Sequence, residues 1–220
     1  MPRPAGPARD TRNDILNAAM ELFATQGFAA TTVKDIATRV GVKDASLYNH
    51  FKSKRAIFEA IIERELAHLQ DLSDQDSAPH EVGAPREAAI DPASSLAQSD
   101  DELEAVIFTG YRPFFEDAGL ICLRKMLTVN QFEDPHAGEL YQAVFIEQPL
   151  RLQTTLFDRM VSQGLFAQCN ARLAAYELHG AAFVLLSQNL SWTEAMPRLR
   201  AILRAFERAH RAEHSTHRNI

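Results

Sequence analysis

The chain has 220 residues, 46% of them apolar, which is enough for one large domain or for a small and a medium domain with buried cores. No apolar run approaches the roughly 18 residues that a membrane span needs, and residues 1–10 lack the apolar stretch of a signal peptide. The net charge of −6 is uneven, since residues 1–64 carry 10 Lys and Arg against 7 Asp and Glu, whereas residues 103–220 balance at 12 each.

The first 66 residues predict a basic arm followed by four helices. Residues 1–10 are expected to form the flexible arm, and Asp10 or Thr11 caps a first helix that Gly27 ends. Thr32 and Asp35 have the spacing of a capping box for the second helix. Gly41 ends the second helix, a third covers about 44–50, and Ser53 caps the fourth.

The rest of the chain predicts an acidic linker and then more helices. Residues 71–102 combine nine acids with three prolines and lack an apolar stripe. Pro113 is expected to kink or end the next helix and Pro149 to bend a later one, while Ser191 and Glu194 can cap the last. The expected helices cover about 101–117, 119–132, 137–163, 170–190 and 194–210.

The second and third helices have the arrangement of a helix-turn-helix. A turn of Gly41, Val42 and Lys43 separates an eight-residue helix from a short one, and Ala37 is small enough for the two to cross closely. Leu47 and Phe51 form the inner face of the third helix. Its outer face is polar and of a size that fits the major groove of DNA.

Residues 11–64 resemble the N-terminal domain of the TetR family of regulators. The matches are spaced over some fifty residues, which makes them far more specific than a helix-turn-helix alone. They comprise Ile15, Ala18, Ala19, Leu22, Phe23, Gly27, Phe28, Thr31, Thr32, Ile36, Ala37, Gly41, Val42, Leu47, Tyr48, His50, Phe51, Ser53 and Lys54.

The resemblance implies a role in DNA binding for ten residues. The residues implied to contact phosphate are Thr32 and Lys34, with Tyr48 and Lys54 as clamps on the DNA backbone and His50 as a further backbone or base contact. The residues implied to face base edges are Lys43, Asp44, Ala45, Ser46 and Asn49.

Two positions depart from the family pattern, and two residues leave alternatives open. The family often has Ser or Thr where Lys43 stands and Gly where Ala45 stands; Lys43 cannot cap, so Asp44 is expected to cap one position later. The amide of Asn49 is suited to a bidentate bond to adenine, and the alternative that Asn49 is only a solvated surface residue fits the sequence equally well. Tyr48 fits either a phosphate contact or a half-buried core ring.

The later helices predict a dimer and a pocket. The helix at 170–190 is apolar almost all round, which favours a homodimer in which Leu185 is buried at the interface. Aromatic and Met residues of the middle helices are candidate contacts for a mainly apolar effector, although such residues are more often core and His179 fits a satisfied buried histidine. The candidates are Phe108, Phe115, Met126, Phe132, Tyr141, Phe145, Met160 and His179.

These patterns predict an all-α protein and a regulator of transcription. The expected domains are a helix-turn-helix domain with its arm (1–64), a helix end with an acidic linker (65–102), and a larger effector-binding and dimerisation domain (103–220). We expect a cytoplasmic repressor that binds a palindromic DNA operator, without a metal or cofactor, and is released by a small molecule. A DNA-organising protein without an effector is the alternative, which the balanced charge of 103–220 disfavours.

An enzyme is disfavoured because the sequence has no phosphate-binding glycine loop, nucleophile elbow or zinc motif. Cys122 and Cys169 lack metal-ligand spacing, so they are expected to be reduced core residues rather than redox groups.

Overall fold

The computed structural model describes residues 10–75 and 100–212, and apart from one β-bridge between Phe166 and Arg211 its regular structure there is helical. The predicted all-α fold is confirmed. The predicted arm up to residue 9 and residues 76–99 of the predicted linker lie outside the described residues. The helices are α1 (Thr11–Gln26), α2 (Val33–Val40), α3 (Asp44–His50), α4 (Lys54–Gln75), α5 (Asp100–Tyr111), α6 (Pro113–Glu116), α7 (Ala118–Asn130), α8 (Pro135–Gln142), a π-helical segment (Ala143–Glu147), α9 (Gln148–Ser162), α10 (Ala171–Ser187) and α11 (Trp192–His210).

The chain divides into two compact units. The N-terminal unit lies within Met1–Asp71 and Ala118–Tyr141, and the C-terminal unit lies within Leu72–Asp117 and Gln142–Ile220. The predicted domain of 103–220 is therefore divided, because α7 packs on α1 through the buried side chains of Leu123, Met126 and Leu127. Helical periodicity identifies the apolar face of such a helix but not the helix that covers it.

Local signals in the sequence account for the helix ends in the N-terminal unit. Asp10 caps α1, and Thr32 and Asp35 form the predicted capping box of α2. Gly41 ends α2 at φ 76°, a left-handed conformation that costs glycine little, and its N–H donates to Ala37 O at 2.9 Å. Ser53 Oγ accepts from Ala56 N at 3.1 Å at the start of α4, as predicted.

Asn130, at the end of α7, joins that helix to the end of α1. Its Oδ1 accepts from Phe28 N at 2.6 Å, while its Nδ2 donates to Met126 O at 2.6 Å and to Phe23 O at 3.3 Å. The side chain is only 1% exposed. Water cannot replace these bonds at such a buried position, so the end of α1, which precedes the helix-turn-helix, depends on a residue 102 positions after Phe28.

We expect Asn130→Ala to lower the free energy of unfolding by roughly 2–3 kcal/mol, because it leaves buried amide groups unpaired. Chemical denaturation followed by circular dichroism measures the change. Gln131→Ala is the matched control, since its amide makes an exposed bond to Thr128 O and its loss is expected to change stability by less than about 0.5 kcal/mol. Equal effects for the two variants would contradict the role given to Asn130.

The core of the C-terminal unit lies among α5, α6, α9, α10 and α11. Phe157, Phe166 and Phe206 pack with ring centroids 5.1–5.8 Å apart, and the stripe of α10 includes Leu178 and Leu185. Ser191 and Glu194 form the predicted capping box of α11. Pro113 has the predicted effect, because α5 ends at Tyr111 and Pro113 opens α6.

The single helix predicted at 137–163 has a π-helical interruption. Pro149 has no N–H to give to the carbonyl of Phe145, four residues earlier, so this bond of the α-helical pattern is missing. The chain instead forms the π-helical segment Ala143–Glu147, which α9 follows with Pro149 in its first turn.

Candidate functional site

The third helix presents the predicted polar face to solvent. Leu47 is fully buried and Phe51 is 5% exposed, so together they anchor α3 against the N-terminal unit. Of the residues predicted to face bases or the DNA backbone from this helix, Ser46 is half-buried. The others are exposed, namely Lys43, Asp44, Ala45, Tyr48, Asn49 and His50. The exposed polar groups on this face are therefore accessible to a binding partner.

The predicted cap at Asp44 is wrong. The helix begins at Asp44, so that Lys43 occupies the N-cap position with φ −77° and ψ 149°, and its side chain makes no capping bond. A carboxylate in the first turn still interacts favourably with the positive end of the helix dipole. The base-facing prediction for Asp44 is a separate matter and stays a prediction.

Thr32 holds the start of α2 through Asp35. The Thr32 hydroxyl donates to the Asp35 carboxylate at 2.7 Å and accepts from Asp35 N at 3.1 Å, while Thr32 N donates to the carboxylate at 2.8 Å. These bonds hold the pKa of Asp35 below its usual value. The Thr32 side chain is thus occupied within the protein, whereas Lys34 beside it is exposed.

Lys54 has an internal role that the sequence did not reveal. Its ammonium donates to Phe28 O at 2.6 Å and to Thr31 O at 2.7 Å, and it lies 4.3 Å from the centroid of the Phe28 ring. The first residue of α4 therefore holds the loop between α1 and α2. The predicted clamp on DNA stays a prediction, and these protein acceptors compete with a phosphate for the same N–H groups.

We expect Lys54→Met to lower the free energy of unfolding by about 1–3 kcal/mol, because charge-assisted bonds to two carbonyl oxygens are lost. Thermal denaturation measures this, with Lys52→Met, an exposed neighbour, as the control. The salt dependence of DNA binding separates the two roles of Lys54. If Lys54 has only an internal role, Lys54→Met leaves the slope of log K against log salt unchanged. If Lys54 contacts one phosphate in each subunit of a dimer, the variant lowers the slope by about two.

The eight candidate effector contacts are divided between the two units. Met126, Phe132 and Tyr141 lie in the N-terminal unit, where Phe132 is 90% exposed. The five in the C-terminal unit are Phe108, Phe115, Phe145, Met160 and His179. Their role as effector contacts stays a prediction. The sequence did not indicate that 118–141 belongs with the N-terminal helices.

A chain of polar groups crosses the core of the C-terminal unit. His179 Nε2 is 2.9 Å from Phe145 O, Tyr111 Oη is 2.7 Å from His179 Nδ1, and Gln153 Nε2 donates to Tyr111 Oη at 2.8 Å. Sequence reasoning missed Tyr111 and Gln153. Gln153 could have been found, because it is the polar member of the stripe of α9 that Leu150, Phe157 and Met160 otherwise make apolar.

An exposed apolar stripe runs along α10. Leu173, Tyr176 and Val184 are 61%, 46% and 54% exposed, and their spacing places them on one face of the helix with the exposed Gly180. Leu185 is only 6% exposed, so the prediction that it forms the interface is corrected: it faces the chain's own core.

Within the described ranges, no group of three or more His, Cys, Asp or Glu side chains is arranged to hold a metal ion. In the same part of the chain, every helix is too short or too polar to cross a membrane. Burial raises the pKa of both Cys122 and Cys169, which favours their thiol forms.

Residues 15–61 match the model of the family described as bacterial regulatory proteins, tetR family. The transcriptional repressor KstR2 of Mycobacterium tuberculosis is 36% identical over 85 residues, which cover 37% of this chain and 42% of that protein. The regulator UidR of Escherichia coli K12 is 41% identical over 68 residues, covering 29% of this chain and 35% of that protein. The chain thus spans less than half of the length of these two relatives.

Two solved structures share the fold over most of the chain. A TetR-family regulator from Mesorhizobium loti has a TM-score of 0.62 at 19% identity and covers 92% of this chain and 97% of its own. A complex of SmeT with triclosan has a TM-score of 0.57 at 22% identity, with 93% of each chain covered. At these identities the likeness is one of fold.

Proposed function

We propose, on the premise that the chain carries the DNA-binding domain of the TetR family, that it is a dimeric repressor of transcription. The observation that carries the proposal is α3, which is anchored by Leu47 and Phe51 and presents an exposed polar face. Such a helix fits the major groove, where each base pair offers a distinct pattern of donors and acceptors.

The ten candidate side chains divide into those that position the protein and those that read sequence. We assign the phosphate contacts to Thr32, Lys34, Tyr48, His50 and Lys54, and the contacts to base edges to Lys43, Asp44, Ala45, Ser46 and Asn49. To donate to a phosphate, the Thr32 hydroxyl must give up its bond to Asp35. Lys34 and Lys43 are exposed cations at the starts of α2 and α3, where they add to the positive ends of the helix dipoles. Asn49 carries an amide, which can donate to and accept from an adenine edge at the same time.

A homodimer explains the α10 stripe. Several apolar side chains that are 46–61% exposed along one helix face mark a contact surface. A two-fold dimer presents two copies of α3, so its operator is a palindrome whose half-sites are one helical turn or a multiple apart.

The effector is a small, mainly apolar molecule that binds in the C-terminal unit and releases the operator. The aromatic and aliphatic side chains of that unit support this class of ligand. The structure neighbour SmeT, which is described as a repressor, is seen in complex with triclosan, and this is consistent with such an effector.

Selection from a random library of double-stranded DNA with the full chain tests the proposal. We expect enrichment of one inverted repeat. The bound protein is expected to protect the two half-sites of that repeat from cleavage by hydroxyl radicals. Enrichment of no sequence, with binding that depends only on DNA length, would favour the DNA-organising alternative.

We expect Lys34→Ala to weaken binding to every operator variant alike and to lower the slope of log K against log salt by about two, one phosphate per subunit. Fluorescence anisotropy between 50 and 300 mM salt, roughly the range over which such affinities change steeply, measures the slope. Lys125→Ala, an exposed cation on α7, is the control. An equal change in both variants would assign the effect to net charge rather than to a contact.

A further inference from the structure

The hydrogen bonds of the polar chain in the core of the C-terminal unit can each be assigned a donor and an acceptor. Phe145 O can only accept, so His179 Nε2 carries a hydrogen and donates to the carbonyl that Pro149 cannot serve. Burial lowers the pKa of His179, which keeps the ring neutral and makes Nδ1 an acceptor. The Tyr111 hydroxyl therefore donates to Nδ1 and accepts from Gln153 Nε2. This order fixes the amide of Gln153 with its nitrogen towards Tyr111.

The amide oxygen of Gln153 is the open end of this chain. Gln153 is 6% exposed, and in the described part of the protein its buried Oε1 has no hydrogen-bond partner. The other polar groups of this series, His179, Tyr111 and the amide nitrogen of Gln153, are all hydrogen-bonded. A buried amide oxygen without a donor is destabilising, and a molecule that brings one N–H or O–H group to it removes that cost.

Aromatic rings pack around these hydrogen-bonded polar groups. The ring of His179 lies 6.1 Å from that of Tyr111 in a stacked geometry and 5.9 Å from that of Phe183, while Phe114 meets Phe145 edge-on at 5.6 Å. Phe114 and Phe183 are only partly buried and so keep ring surface for a ligand. Burial raises the pKa of Tyr111, so the hydroxyl is neutral as well.

We infer that Gln153 Oε1 is the polar contact of an effector site, and that the effector is an uncharged, mainly apolar molecule bearing one hydroxyl or N–H group. An anion is excluded because its oxygens would face an amide oxygen that offers no hydrogen. An ammonium group is excluded because no carboxylate belongs to the polar chain to compensate its burial. The inference rests on the proposed function in that it names the chemistry of the effector.

The test compares 1-naphthol with 1-methoxynaphthalene, which has the same ring system but no hydrogen to donate. Equilibrium dialysis against the full chain measures both affinities. One hydrogen bond to a buried acceptor predicts a preference of about tenfold for the naphthol. Gln153→Met keeps the length of the side chain and removes the acceptor, so it is expected to bind both compounds equally. Gln163→Met, an exposed glutamine at the end of α9, is the control and keeps the preference.

Equal affinities of the two compounds for the wild type would overturn the inference, because an internal water then satisfies Oε1 in place of a ligand. A preference that survives in Gln153→Met overturns it as well, as does the absence of binding by either compound. The wild-type comparison decides even if the variant fails to fold. DNA binding is measured separately on the same wild-type protein. Failure to bind DNA counts against the proposed function alone. DNA binding without a preference for the hydroxyl compound counts against the effector site alone.

Discussion

Val184→Glu is expected to convert the dimer to a monomer. Val184 lies on the exposed stripe of α10 with Leu173 and Tyr176, and contact with a second copy would bury it. A carboxylate buried there without a partner costs about 3 kcal/mol or more, and two-fold symmetry places two such charges in the interface. The dissociation constant of the dimer is therefore expected to rise by roughly two orders of magnitude or more.

Sedimentation velocity over a range of micromolar concentrations measures this change. Thr155→Glu, an exposed position on α9, introduces the same charge away from the stripe and is expected to leave the dimer intact. Leu185→Glu is unsuitable, because Leu185 is buried in its own chain and the variant would unfold rather than dissociate. A Val184→Glu protein that stays dimeric, or a wild type that is monomeric at these concentrations, would remove the basis for the proposed dimer.

The elements of the N-terminal unit could be predicted because local chemistry determines them. Asp10 and Thr32 cap helices with their own side chains, and Gly41 adopts a conformation that few other residues tolerate. The two faces of α3 follow from the spacing of Leu47 and Phe51. Each of these signals acts over a few residues, so the sequence is sufficient to find it.

The contacts that hold this unit together could not be predicted, because they join distant parts of the chain. Asn130 reaches Phe28 across 102 positions, and Lys54 reaches the same loop across 26. A periodic pattern shows that α7 has a buried face, but nothing local states that α1 covers it. The sequence-based boundary at residue 64 therefore omits a helix on which the predicted DNA-binding domain packs.

The same limit applies to the polar chain of the C-terminal unit. Pro149 predicts a disturbed helix, and it leaves the carbonyl of Phe145 without its usual donor. That His179 supplies the donor, and that Tyr111 and Gln153 extend the chain, depends on how α5, α9 and α10 pack. Composition indicates an apolar core here, whereas the buried acceptor on Gln153 becomes visible only in three dimensions.

Asn49→Ala and Tyr48→Phe are expected to separate the reading of sequence from the clamping of the DNA backbone. Asn49 is exposed on α3, two residues after the buried Leu47 and two before Phe51. A bidentate bond to adenine discriminates by about 1–3 kcal/mol at each half-site, so its loss is expected to relax the preference at one base pair per half-site and to leave the salt slope intact.

Tyr48→Phe is expected to do the reverse. Tyr48 is 54% exposed, and the change keeps the ring, and with it the packing, while it removes the hydroxyl that we assign to a phosphate. Affinity then falls by a similar factor for every operator variant, because a phosphate contact carries no sequence information. A matrix of operator variants against both mutants measures the two effects together. If Asn49→Ala leaves the base preference untouched, Asn49 is a solvated surface residue, and the reading of bases falls to Lys43, Ser46 or His50.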